Sequence, residues 1–452
     1  MTDPLLVESR PKAAEGELLL RTGAWYGDRA LRLPVPPSWH VDRYWPRLGL
    51  PLSDAEIAER LESPVGQSPV RELCRGKRRP VVLVDDLNRP TPAARVLPVL
   101  LRQFREGGID NGAVTLVIAC GTHGPPPAEA LVGKIGAEAA SSCRVHVHDC
   151  RRDLVRVGRS SFGTPVFVDR HVARSDLVIA IGGLYPNHTA GFGGGSKIAL
   201  GVLGIRSIAG LHYGHRSVGW GTHDAGSDFR RDLDEIAEMI GLRTVITLLV
   251  DGDREVVDLR CGDHRVYYQP LVESAKDALG APAPGPTANV VIANAYPTDT
   301  SLTFVRMKGT VPLHRAPPNA SRVVIASCSE GLGFHGLTPF LNAPKHHGWR
   351  TLALRGSALL GRPGVLARKA HARVLRRLGR SRSAAPSADR NPIWMYRPAI
   401  VGAPALPRVI PGMRVTESWD EVVDAVVREQ GGRPDLRAVV YCCASVQWIR
   451  PE

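Results

Sequence analysis

Four turns in this sequence gather residues that can hold an anion or move a proton. The richest is Gly182-Gly-Leu-Tyr-Pro-Asn-His188-Thr-Ala-Gly-Phe-Gly-Gly-Gly-Ser-Lys197, whose glycines let the backbone approach a ligand closely and leave the Lys197 ammonium aimed at it. Neither standard phosphate template fits. A Walker loop needs Gly before the Lys and Ser or Thr after it, but Ser196 precedes and Ile198 follows. Three consecutive glycines, Gly193, Gly194 and Gly195, break the Gly-x-Gly-x-x-Gly spacing. A second turn, Asp85-Asp86-Leu-Asn-Arg89-Pro-Thr-Pro92, offers two carboxylates and a guanidinium where helix amides can hold phosphate or carboxylate; the alternative is helix capping by Asn88 or Thr91. A third, Gly121-Thr-His123, presents an imidazole able to act as acid or base near pH 7, or simply a solvated loop histidine. The fourth group is His212 with His215 three residues on, a spacing that can put both rings on one helical face but lacks the Cys or carboxylate partners of a conventional metal site. A separate pair, His146 and His148, alternates along a strand, so both rings point to the same side. It reads as a metal pair or, more simply, as a polar strand face with Asp149 pairing locally.

The elements that must position these turns follow from periodicity. Pro80 to Asp86, Ala113 to Cys120, Arg144 to His148 and Asp176 to Ile181 are short β-branched runs, and amphipathic segments such as Thr91 to Gly107 alternate with them. The pattern is α/β with largely parallel sheets, in which ligands sit at the carboxyl ends of strands. Gly280-Ala-Pro-Ala-Pro-Gly-Pro-Thr reads as a linker, so we expect two α/β domains, residues 1–280 and 290–452, joined by 281–289, with the active site in the cleft between them. Strands are expected at Asn289 to Asn294, Arg322 to Ser327 and Ala438 to Cys443, and a final helix at Ser418 to Glu429.

With 452 residues, 43% hydrophobic and 23% charged, the chain is an ordinary globular protein and not a disordered or coiled-coil one. The net charge of +14 raises the question of nucleic acid, but Arg350 to Arg390 holds eleven Lys or Arg against the one acid Asp389. That stretch has no interleaved aromatics and reads as a basic mobile insertion at about 355–390, which speaks against a nucleic-acid role. Eight cysteines without a Cys-x-x-Cys pair argue against structural zinc and against a disulfide framework. No apolar run reaches the ~18 residues of a membrane span and the start lacks a signal-peptide pattern, so a soluble cytoplasmic protein without membrane partners is expected.

Taken in order, the turns resemble the lactate racemase family, the nickel-pincer-dependent 2-hydroxyacid racemases and epimerases. The resemblance runs through Tyr26-Gly-Asp, Asp86-Leu-Asn-Arg-Pro-Thr-Pro92, Gly121-Thr-His123, His148-Asp149, Pro186 to Lys197 and His212, then Tyr296-Pro-Thr-Asp299, Lys308 and Ser329-Glu-Gly-Leu-Gly333. It implies a cofactor, a pyridinium-3,5-bisthiocarboxylic acid mononucleotide carrying nickel, tethered to Lys197 and completed by His212 as metal ligand. Gly194 and Gly195 would flank it, with Asp86 and Arg89 beside cofactor and substrate. It further implies His123 and His188 as the two catalytic bases, Lys308 as a substrate carboxylate holder, and cofactor-synthesis enzymes as partners. Hydride would leave Cα for the pincer as a His takes the hydroxyl proton, and its return to the other face would invert the centre. Some positions depart from the family. Gly124 stands where an Arg is usual and Asn88 where a Thr is. The stretch Thr303 to Lys308 lacks the family's Tyr-Gln pair and displaces the Lys by one position, leaving Arg306 as a substitute. The expectation is therefore a racemase or epimerase of a hydroxy acid larger or less polar than lactate. The rivals are other alcohol redox chemistry on the same cofactor, or a non-catalytic binding relative.

Overall fold

The computed structural model describes residues 16–222, 226–337, Gly356 and 391–450, so the basic stretch expected at about 355–390 lies outside the described residues apart from Gly356. Two sheets organise the chain. The first runs, edge to edge, Val256–Gly262, Leu242–Val250, Leu177–Gly183, Pro80–Asp85, Thr115–Ala119 and Arg144–Val147, all parallel except the antiparallel first pair. Its three central strands are buried along their whole length, as expected of parallel strands covered on both faces. Because these three are neighbours, the turns at 85–92, 120–123 and 183–197 leave the sheet side by side.

The second sheet runs Val409–Ile410, Met413–Thr416, Ile393–Tyr396, Ser321–Ile325, Val290–Asn294, Arg437–Tyr441 and His40–Tyr44. Its last strand corrects the expected boundary. His40–Tyr44 pairs in parallel with Arg437–Tyr441, and the hairpin Glu17–Thr22/Arg29–Pro34 buries Leu18, Leu20, Leu31 and Leu33 against Val290, Ile292 and Trp419. The N-terminal stretch counted with the first domain therefore packs on the second sheet, because its alternating leucines find their apolar partners there. Part of the expected linker is also pinned, Gly280–Ala281 pairing with Trp448–Ile449.

The helix Leu97–Glu106 forms as its periodicity predicts, burying Leu97, Leu100, Leu101 and Phe104. It starts later than Thr91, and the capping alternative does not hold. Thr91 Oγ1 donates to Asp85 Oδ2 at 2.7 Å, while Asn88 donates to Asp86 Oδ2 at 2.8 Å and accepts from Thr300 Oγ1 at 2.9 Å. The side chains that could cap are spent on the turn itself and on the second sheet's side of the molecule.

Asp299 anchors the strip that joins the two halves. Fully buried, it accepts from Thr22 Oγ1 (2.9 Å), Gly23 N (2.9 Å), Ala24 N (3.2 Å) and Ser327 N (3.2 Å). The turn it holds delivers the Trp25 indole to the Arg89 carbonyl at 3.2 Å. Asp299→Ala leaves these buried donors unpaired and is expected to cost about 3 kcal/mol; a denaturant midpoint within error of the parent chain would refute this anchoring.

Candidate active site

The three turns and a segment of the second sheet's side enclose one cavity of about 100 Å³, open to solvent. Asp86, Arg89, His123, Gly194, Lys197, His212 and Lys308, all singled out from the sequence, line it, together with Tyr185, Phe304, Met307 and His335. Lys197 sits on the 3-10 turn Gly195–Val202 and His212 on the helix Ile205–Gly214 that follows.

Arg230 and Tyr268 shape the glycine turn from behind. Arg230 donates to the carbonyls of Gly194 (3.2 Å) and Phe192 (2.9 Å), and the Tyr268 hydroxyl donates to the Gly193 carbonyl at 2.9 Å. With three carbonyls held there, the turn keeps its bend without borrowing a ligand. Gly195 does not line the cavity. At φ +59° a Cβ there would meet the Tyr268 ring at 2.9 Å, so packing is what demands glycine at this position.

Burial, with the charges of Arg89 and Arg230 adding to it, depresses the Lys197 amine from 10.5 to about 7. Near neutral pH a large share is the free base, which is the nucleophilic form. His212 Nδ1 donates to the Ile208 carbonyl at 2.9 Å, which fixes the proton on Nδ1 and leaves the Nε2 lone pair. Burial lowers this ring to about 4, so it is neutral and ready to ligate.

Asp86 and His123 form a dyad, Nδ1 to Oδ2 at 2.6 Å. Burial opposes ionisation of Asp86, but the His123 ring, the Arg89 guanidinium and the Asn88 amide outweigh it and hold the carboxyl well below its ordinary range. Burial also holds His123 below its ordinary value despite the carboxylate. The pair is thus a carboxylate receiving Nδ1–H from a neutral ring whose Nε2 can take a proton. Arg89 stays charged near the Tyr185 and Phe304 rings (5.7 and 5.8 Å).

Lys308 is buried, 5.0 Å from the Tyr185 ring centroid, and burial with the Arg89 charge pushes its amine well down. Its one-residue displacement has a structural counterpart. Val305–Gly309 is a π turn, closed by Thr310 N to the Val305 carbonyl at 3.0 Å, and a π turn accommodates a single extra residue. Arg306 instead faces out, donating to the Pro411 carbonyl.

Two histidines are not where the sequence pattern suggested. His188 is exposed and does not line the cavity; its Nε2 donates to the Met307 carbonyl at 2.7 Å and its ring stacks 4.7 Å from Trp220. His215 turns to the neighbouring helix, bonding Asp232 at 2.6 Å, so the pair does not share a face toward the cavity. Sequence reasoning passed over His335. It lies two residues beyond the Ser329–Gly333 turn, its ring 5.1 Å from His123, and its Nδ1 accepts from Leu337 N at 3.2 Å. It also passed over Lys134, which is fully buried, lies 2.7 Å from Asp85 Oδ1 and donates to the Arg89 and Thr91 carbonyls at 3.1 and 3.0 Å.

Residues 26–221 match the lactate racemase N-terminal domain. The lactate racemases of Lactiplantibacillus plantarum and Thermoanaerobacterium thermosaccharolyticum are each 25% identical to this chain, over 63% of it and 69% and 68% of their own lengths. Over that segment the chain is similar to the lactate racemases. The fold agrees along nearly its whole length. The lactate racemase apoprotein of Thermoanaerobacterium thermosaccharolyticum superposes with a TM-score of 0.66 at 19% identity, covering 96% of this chain and all of that one. A Thermotoga maritima protein superposes at 0.58 with 16% identity, covering 89% of this chain and all of its own. Among the described residues, no helix is long and apolar enough to cross a membrane.

The depressed Lys197 amine makes a direct prediction. Under limiting acetic anhydride at roughly pH 8, Lys197 should be acylated ahead of exposed Lys77, and its rate should fall as pH drops through about 7. Peptide mass mapping that finds Lys197 no faster than Lys77 would contradict the assigned environment.

Proposed function

We propose that the chain is a racemase or epimerase of a 2-hydroxy acid, working with a nickel-pincer nucleotide tethered to Lys197 and ligated through His212. The observation that carries this reading is the presence, in one cavity, of a lysine amine near half-deprotonation at neutral pH and an imidazole fixed with its Nε2 lone pair available. An acyl-type tether needs the first and a metal lacking one donor needs the second, so the residues fit the group. When bound, that group would supply a hydride acceptor and donor beside the substrate Cα, held by Lys197 and His212.

The chain's own residues supply the rest. Asp86 orients His123 so that Nε2 takes the substrate hydroxyl proton, and the ring returns it in the reverse step. Arg89 and Lys308 offer positive charge for the substrate carboxylate, Arg89 as a permanent fork and Lys308 as a buried ammonium that the carboxylate would recharge. Phe304, edge-on to His123 at 4.9 Å, and Tyr185 limit water around the reacting carbon. Phe304 and Met307 also make the wall apolar, which supports a substrate side chain larger or less polar than that of lactate.

His188 serves as second base only if its Nε2 exchanges the Met307 carbonyl for the substrate hydroxyl. Its place outside the cavity favours one alternative, an alcohol redox reaction using a single base and a single face. Co-production with the cofactor-synthesis enzymes, intact-mass analysis and chiral chromatography over a panel of 2-hydroxy acids test the proposal. The expected result is an adduct on Lys197 that K197A abolishes, and interconversion of enantiomers that H123A slows by about 10²–10⁴. An adduct with net oxidation or reduction but no inversion would favour the single-base alternative, and an unmodified Lys197 would overturn the cofactor.

A further inference from the structure

The histidine pair at 146 and 148, which the active site does not use, meets two residues that are remote in sequence. His146 Nε2 and His148 Nδ1 each lie 2.9 Å from Asp169 Oδ2, and His171 Nδ1 lies 3.2 Å from Asp169 Oδ1. Asp149, the partner suggested by the sequence, faces away and accepts from Arg151 N at 2.8 Å instead. We propose that His146, Asp169 and His171 form a second metal site, separate from the cavity, for a borderline divalent cation of the zinc class, with water completing the coordination.

Three features carry this. One ligand atom from each residue falls within 4.8 Å of the others. Donors around a tetrahedral ion with bonds of about 2 Å stand roughly 3–3.5 Å apart, so small side-chain rotations close the set. Second, burial is graded as a peripheral metal site requires. The Asp169 side chain is 1% exposed while those of His146 and His171 are 27% and 45% exposed, which leaves an outward side for ion entry and for water. The two ring centroids stand 4.2 Å apart, the planes tilted 42° to one another. Third, the carboxylate is already backed. His148 is fully buried, one nitrogen on Asp169 and the other 3.0 Å from the Leu203 carbonyl, the kind of outer partner that fixes a ligating carboxylate. The adjacent Arg170 guanidinium is paired with Asp153 at 2.7 Å, so it is engaged beside the site rather than in it.

The donor types select the ion. Two imidazoles and one carboxylate suit zinc and its neighbours, and not calcium or magnesium, which call for oxygen ligands. Such an ion would bind the edge strand Arg144–Val147 of the first sheet to the hairpin strand Pro165–Asp169 and the helical turn Arg170–Ala173 that lie over it. Through His148 the brace reaches Leu203, between the turn that bears Lys197 and the helix that bears His212.

The test uses full-length protein stripped with chelator and titrated with Co²⁺, whose visible absorption reports four-coordination, and then with Zn²⁺ in competition. One site is expected whose affinity falls about tenfold or more in H171A and H146A and is unchanged in H212A. In addition, Zn²⁺ should raise the melting temperature of the parent chain and not of H171A. His171 is exposed, so circular dichroism of H171A should match the parent and separates lost ligation from lost folding. No cobalt or zinc binding, binding that survives H171A, or binding lost only in H212A would each overturn the proposal.

Discussion

A single buried ammonium holds the first functional turn in shape. Lys134 comes from a helix some forty residues beyond that turn, enters it fully desolvated, and is met by the Asp85 carboxylate and the carbonyls of Arg89 and Thr91. An unpaired charge at this depth is costly, so the turn and the helix must form together or not at all. With Asp85 neutralised by Lys134, Asp86 is left to bind His123 and the Arg89 side chain is left to face the cavity. Trp25, lying 4.7 Å below the same ammonium, brings the other half of the molecule into this arrangement.

The cavity that results is rich in cations and poor in free carboxylate. Arg89, Lys197 and Lys308 face it; of the two acids, Asp85 is committed to Lys134 and Asp86 to His123. Burial, with the Arg89 charge adding to it, takes both lysines below their ordinary range, whereas Tyr185 and the two carboxylates hold Arg89 above its own despite burial. An anionic ligand would relieve the repulsion among these cations.

What the sequence disclosed and what it hid divide along physical lines. Asp86, Arg89, His123 and Lys197 were legible because each follows a buried apolar run, and parallel strands bring such positions together whatever their order in the chain. His212 was legible through the family resemblance and not through its spacing from His215, which turns away to Asp232. Lys134, His335 and the Asp169 cluster were not, since each acts across tens of residues and a side-chain type alone does not reveal what it will meet. His188 was marked as a second base by the family resemblance, yet the Met307 carbonyl takes its Nε2. The strand His40–Tyr44 was hidden for a related reason: a short, half-exposed edge segment carries little periodicity, and only its partner Arg437–Tyr441 defines it.

That edge strand has a mechanical corollary. Since the described chain runs from the second sheet's side into the first sheet and returns near Gly280, the backbone passes between the two halves at two places rather than one. Two backbone crossings restrain the halves more than one would, and the Asn88–Thr300 hydrogen bond and the Lys134 ammonium over Trp25 add to that restraint. Residues that line the groove from either half, Arg89 and Lys308 among them, are thereby held in register with one another.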